Sequence, residues 1–95
     1  MAGNSAPKHP GEILRKYLGS VTVTAAAYRL GISRVTLQRI VTGVAGISPD
    51  MAYRLASASG TNPELWAGLQ LRYDLHQAKK MARPKIRRFM ENIDT

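Results

Sequence analysis

Residues 22–43, TVTAAAYRLGISRVTLQRIVTG, decide the fold. Thr22 stands where a hydroxyl can cap a helix of about eight residues, and Val23, Ala26, Ala27 and Leu30 recur at the spacing of one inward face. The VTVT of residues 21–24 alternates like a strand, but it lasts four residues and runs straight into three alanines, the best helix formers. Gly31 can take a left-handed turn cheaply. Ser33 then caps a following helix that runs to Thr42, with Val35 or Thr36 near its start, Leu37 and Ile40 inside, and Arg34, Gln38 and Arg39 outside. Gly43 ends it. The reading is helix, tight turn, helix. The two helices can cross closely only if a small side chain sits four before the turn glycine, and Ala27 is there, with Ile32 plugging the junction.

Working outward, Pro10 suits a first helical turn and Glu12 complements its dipole. Ile13, Leu14, Tyr17 and Leu18 form that helix's apolar stripe. Downstream, Ser48-Pro49-Asp50 is a strong start signal, followed by Met51, Ala52, Leu55 and Ala56 at helical spacing and a stop at Gly60. The same grammar recurs at Asn62-Pro63-Glu64 and opens a fifth helix expected to reach about Ala82, before Arg83-Pro84 interrupts it. No convincing strand is present, so the expected fold is all-α with five helices. The fifth helix carries two apolar stripes: Leu65, Trp66, Leu69 and Tyr73 on one side, and Gly68, Leu71, Leu75, Ala78 and Ala82 on the other. One core does not easily cover both, which predicts a symmetric homodimer through Leu71, Leu75, Ala78 and Ala82. Trp66 is expected in the core.

Ninety-five residues and 10.4 kDa give room for one domain. The expected division is a flexible N-terminus at 1–8, a domain at 9–82 that carries the helix-turn-helix pair and the dimer seam, and a basic tail at 83–95. The absence of cysteine excludes disulfides, thiol catalysis and thiolate metal sites. No apolar run suits a membrane span or a signal peptide, so a cytoplasmic protein with no membrane partner is expected. His9 and His76 have no acids or cysteines at ligand spacing and are read structurally, with no metal. No nucleophile motif, carboxylate pair or glycine-rich phosphate loop is present, so neither an enzyme, a cofactor nor a small-molecule substrate is expected.

Charge is more informative. Fourteen Lys and Arg against six Asp and Glu leave +8, and a polyanion is the expected partner. Between Arg72 and Arg88, seven Lys and Arg face one Asp, a net +6. That segment could clamp flanking phosphates, bind an acidic partner surface or remain a solvated extension. Ile86, Phe89, Met90 and Ile93 suggest a short amphipathic helix after Pro84, lying on the twin subunit.

The helix pair at 22–43 has the form of the DNA-binding helix-turn-helix, whose second helix lies in the major groove. Arg34 can then offer a bidentate fork to guanine, Gln38 can pair with adenine, Val35 can meet a thymine methyl, and Arg39 can reach base or phosphate. Ser33, Thr36 and Thr42 are placed for phosphate, although Ser33 has an equal claim as a cap alone.

In combination, HPGEIL at 9–14, LGISRVTLQRIVTG at 30–43 and GISPDMAYRLASASGTNPELWAGLQLRYDL at 46–75 resemble the HigA antitoxin family over roughly residues 9 to 78. The resemblance implies a five-helix XRE-type (lambda-repressor-like) helix-turn-helix domain with a basic C-terminal extension here. It implies a dimer formed through the C-terminal part, and a neighbouring gene for a RelE-like, mRNA-cleaving toxin, HigB. Such an antitoxin neutralises its toxin by binding it and represses the shared operon at a palindromic double-stranded operator. On this chain the recognition helix falls on Ser33 to Thr42 and its base-facing residues on Arg34, Val35, Gln38 and Arg39. Val23-Thr24-Ala25-Ala26 lacks the charged or Gln-type residue often found at the start of the second helix, which leaves the usual early phosphate contact without its side chain. Two alternatives stand beside this reading: a solitary regulator with no toxin, and a module whose main task is toxin capture.

Overall fold

The computed structural model describes residues 6–90. Five α-helices follow one another: α1 (Pro10–Leu18), α2 (Val23–Leu30), α3 (Arg34–Val41), α4 (Pro49–Ser59) and α5 (Pro63–Lys79). No strand occurs among the described residues. Each start is built locally. Thr22, Ser33, Ser48 and Asn62 accept a hydrogen bond from the backbone N–H three residues on, and Pro10, Pro49 and Pro63 fill first-turn positions where no N–H is needed. Gly31 and Gly60 close α2 and α4 in the left-handed region, at φ 72° each, a conformation that costs glycine little.

The core is assembled from one face of every helix. Leu14, Ala26, Ala27, Leu30, Leu37, Ile40, Met51, Ala52, Leu55, Ala56 and Trp66 are buried, with Ile47 from the α3–α4 loop among them. Ile32 packs against this cluster directly after the turn. Trp66 is fully enclosed, and its indole N–H starts a hydrogen-bond relay. Nε1 donates to Thr61 Oγ1 at 2.9 Å, Thr61 and Ser59 hydroxyls lie 2.8 Å apart, and Ser59 Oγ donates to the Leu55 carbonyl at 2.6 Å. Because the Ser59 proton is committed to Leu55, Thr61 is the donor of the middle bond. The indole is thereby buried with its one polar atom satisfied. Tyr17 is about half exposed, not inside, and sets its ring edge-on to Trp66 at 5.2 Å.

Helices α1 and α3 approach backbone to backbone. A Cβ on Gly11 would stand well inside contact distance of the Ile40 carbonyl oxygen, so only glycine lets the first turn of α1 sit against the backbone of α3. His9 fixes that turn from both sides: its Nδ1 accepts from Gly11 N at 2.9 Å, and its ring meets Tyr73 of α5 edge-on at 4.9 Å.

Three further expectations change. First, α5 ends at Lys79, so Ala82 lies outside it. The N–H groups of Lys80 and Met81 turn back to Gln77 and Ala78, and the Arg83 guanidinium donates to the Ala78 carbonyl. These bonds satisfy the last turn ahead of Pro84, whose ring disfavours a helical Arg83. Second, α3 ends at Val41, with Thr42 as its C-cap. Third, residues 82–88 carry no regular structure where a short helix was expected; Ile93 lies outside the described residues, as does most of the expected flexible N-terminus.

Gly11→Ala should lower stability by about 1–3 kcal/mol, the usual cost of forcing volume into a packed contact, read from urea denaturation. Stability equal to that of the parent would show that α1 and α3 can separate without cost.

Candidate nucleic-acid interface

Leu37, Ile40 and Val41 bury one side of α3. At 3.6 residues per turn, Val35, Arg39 and Thr42 fall on the opposite side, with Arg34 and Gln38 along one margin and Thr36 along the other. Arg34, Val35, Thr36, Arg39 and Thr42 are exposed, Val35 at 64%. Gln38 is only half-exposed and lines a hollow with Arg15, Gly19, Val21 and Val23. All seven residues proposed for DNA contact therefore lie on α3 or its two caps, and Gln38 sits deepest. The side chains of Arg34 and Arg39 have no hydrogen bond or ion pair among the described residues.

The hydroxyls are partly committed already. Ser33 Oγ accepts from Thr36 N at 3.0 Å and donates to Thr36 Oγ1 at 2.8 Å. This leaves the Thr36 proton free to point outward. Thr42 Oγ1 donates to the Gln38 carbonyl at 2.8 Å, a bond it must give up to donate to a phosphate. Ser33 thus acts as a cap, and Thr36 is the better donor of the three.

Both helices of the pair are anchored by side chains that no local sequence pattern singles out. Arg54 on α4 donates from Nη1 to the carbonyls of Leu30 and Gly31 at 2.7 and 3.3 Å, holding the turn, while its Nε pairs with Asp50 at 2.8 Å. Arg15 on α1 donates from Nε to the Val41 carbonyl at 3.2 Å, the C-terminus of α3. In each case a cation meets the negative end of a helix dipole. Gln70 of α5 accepts from Ile47 N at 2.7 Å and donates to Asp74 at 2.9 Å, tying the loop after α3 to the last helix. These partners are 23 to 26 residues apart, so no local spacing pairs them.

The second stripe of α5 remains in the open. Leu71 and Leu75 are 58% and 60% exposed, Gly68 and Ala78 are half-buried, and Leu65, Leu69 and Tyr73 turn toward the body of the domain. Among the described residues no group of His, Asp or Glu is arranged to hold a metal, and no helix is long and apolar enough to cross a membrane.

A glycine-turned helix pair with an exposed second helix, held at both ends by its neighbours, defines a helix-turn-helix protein. A family model described as a helix-turn-helix domain matches residues 12–69. Among solved structures, an addiction module antidote protein of the HigA family from Coxiella burnetii is 35% identical, covering 85% of this chain and 100% of its own, with a TM-score of 0.75. The antitoxin HigA of Pseudomonas aeruginosa, solved with the higBA promoter, is 41% identical over 76% of this chain and 82% of its own, with a TM-score of 0.74. Virulence-associated protein A' of Dichelobacter nodosus is 37% identical over 84 residues, 85% of this chain and 73% of its own length. The chain belongs to the HigA antitoxin family of helix-turn-helix transcriptional regulators.

Ser33→Ala should cost about 0.5–2 kcal/mol of stability, as the removal of N-caps does, while leaving base preference on DNA unchanged. A change in preferred sequence with stability intact would assign Ser33 to the nucleic acid instead.

Proposed function

We propose that this protein is a dimeric repressor of its own operon and the antitoxin of a HigB-type, RelE-like toxin. The observation that carries the proposal is the face of α3: Arg34, Val35 and Arg39 exposed, the two guanidinium groups without partners among the described residues, on a helix fixed at both ends. Two such helices about 34–36 Å apart enter successive major grooves on one side of a duplex, matching the half-sites of a palindromic operator. Arg34 reads guanine, Val35 contacts a thymine methyl, Gln38 reaches adenine from the margin, and Arg39 takes base or phosphate. Bound there, the dimer occludes a promoter. The exposed Leu71 and Leu75 with Ala78 supply the self-complementary apolar seam of a two-fold dimer. The antitoxin role rests on the family and on the structural likeness to HigA proteins, and its partner is a toxin encoded by a neighbouring gene.

The deciding experiment is binding to DNA from upstream of the gene and to scrambled DNA across a salt series. A preference of about a thousandfold or more near physiological salt is expected of operator binding. Equal, steeply salt-sensitive binding to both would refute it and leave toxin capture as the main task. Arg34→Ala should cost about 1–3 kcal/mol on the operator and relax preference at one base pair; an equal weakening on both DNAs would remove it from base readout. Leu71→Asp together with Leu75→Asp should give a folded monomer by sedimentation, and a persisting dimer would move the interface elsewhere. Co-expression with the neighbouring gene product tests the toxin: a stable complex is expected, and a gene product that ignores the protein would make it a solitary regulator.

A further inference from the structure

Beyond the helix-turn-helix, the most strongly charged surface of the molecule is the segment after α5. From Leu75 to Met90 the chain holds Lys79, Lys80, Arg83, Lys85, Arg87 and Arg88 and no Asp or Glu. Residues 79–90 are exposed throughout, and residues 82–88 have no regular structure. Lys80, Lys85 and Arg87 make no side-chain hydrogen bond or ion pair among the described residues. The root of the segment is nonetheless set: Arg83 donates to the Ala78 carbonyl and Met81 N donates to the same oxygen at 3.0 Å. A fixed root followed by an extended run of cations is the form of an arm.

We propose that residues 80–90 form a second DNA-binding element, an arm that lies along the phosphate backbone of duplex DNA outside the base pairs read by α3. Its position in the fold fits. Gln70 and Tyr73 of α5 touch the α3–α4 loop and the start of α1, through Ile47 and His9 respectively. The middle of α5 is therefore tied to the loop that follows the recognition helix, and the arm leaves from the end of α5. Eleven extended residues span up to about 36–40 Å, enough to follow the duplex over about one helical turn. The chemistry is that of phosphate, not of bases: the cations are unsorted along the segment and the backbone presents no helix to a groove, so the arm adds affinity and salt dependence without adding sequence preference. Its partner is shared with the proposed operator binding, and the inference rests on that reading only in taking DNA as the polyanion. An acidic protein surface is the competing occupant.

The test uses the full chain carrying Lys80→Gln, Lys85→Gln and Arg87→Gln together; Arg83 is spared because it caps α5. Affinity is measured against salt on the operator duplex and on a scrambled duplex of equal length, beside the parent protein and Arg34→Ala. The triple variant should melt like the parent, bind both duplexes about tenfold or more weakly, and show a salt slope shallower by about 0.9 for each phosphate it no longer neutralises. The ratio of operator to scrambled affinity should stay the same. Unchanged affinity and slope on both duplexes would overturn the arm and leave an acidic protein as the partner, and a weakening confined to the operator would overturn its phosphate character. Arg34→Ala fails or succeeds separately, through the operator-to-scrambled ratio, so a failure of operator recognition and a failure of the arm give different patterns.

Discussion

The fold depends on one contact, the meeting of Gly11 with the Ile40 carbonyl. It brings the first turn of α1 onto the backbone of α3, and the nearby links require that approach. His9 can cap α1 and still reach Tyr73 only because the turn sits that deep. Arg15, one turn along α1, is then in range of the last carbonyl of α3. The helix that faces outward is thus placed less by its own eight residues than by what stands behind it. A side chain as small as a methyl group at position 11 disturbs all of these at once.

Much of this could be read from the chain because the decisive signals are local. A cap and the N–H it satisfies are three residues apart, so Thr22, Ser33, Ser48 and Asn62 announce their helices without reference to tertiary structure. Inward faces follow from periodicity, and the buried residues of α2 and α4 all fall where spacing puts them. The end of α5 was harder. Propensity alone carries a helix through Lys80-Met81-Ala82, and what stops it is a tightened last turn and the Arg83 side chain folding back, a competition that spacing does not reveal. Tyr17 misled for a related reason: its position on the apolar stripe is right, but Trp66 already fills the core, so the smaller ring is left leaning on the larger one.

For the interface, sequence placed the residues on one exposed helix and was blind to how that helix is held. Arg54 and Arg15 look like ordinary surface cations until the carbonyls of Leu30, Gly31 and Val41 are brought within reach. Their charge complements dipoles inside the protein, which leaves the outward arginines of α3 and the C-terminal segment as the cations available to the proposed DNA contact. Total charge therefore overstates the field on offer, and its distribution matters more. The hydroxyls follow the same logic, since a proton spent on a cap is not available to a phosphate.

An isolated helix in water needs about 12–15 residues before its formation is even marginal. With only eight residues, α3 exists as a helix because α1, α2 and the loop after it hold its buried side and both ends. A form in which α1 has come away therefore loses the support of the outward face as well. Opening of α1, whether by heat, by a protease cutting near its start or by another protein prying it away, dissolves the outward face together with its support. The outward face of α3 then lasts only as long as α1 stays docked against it.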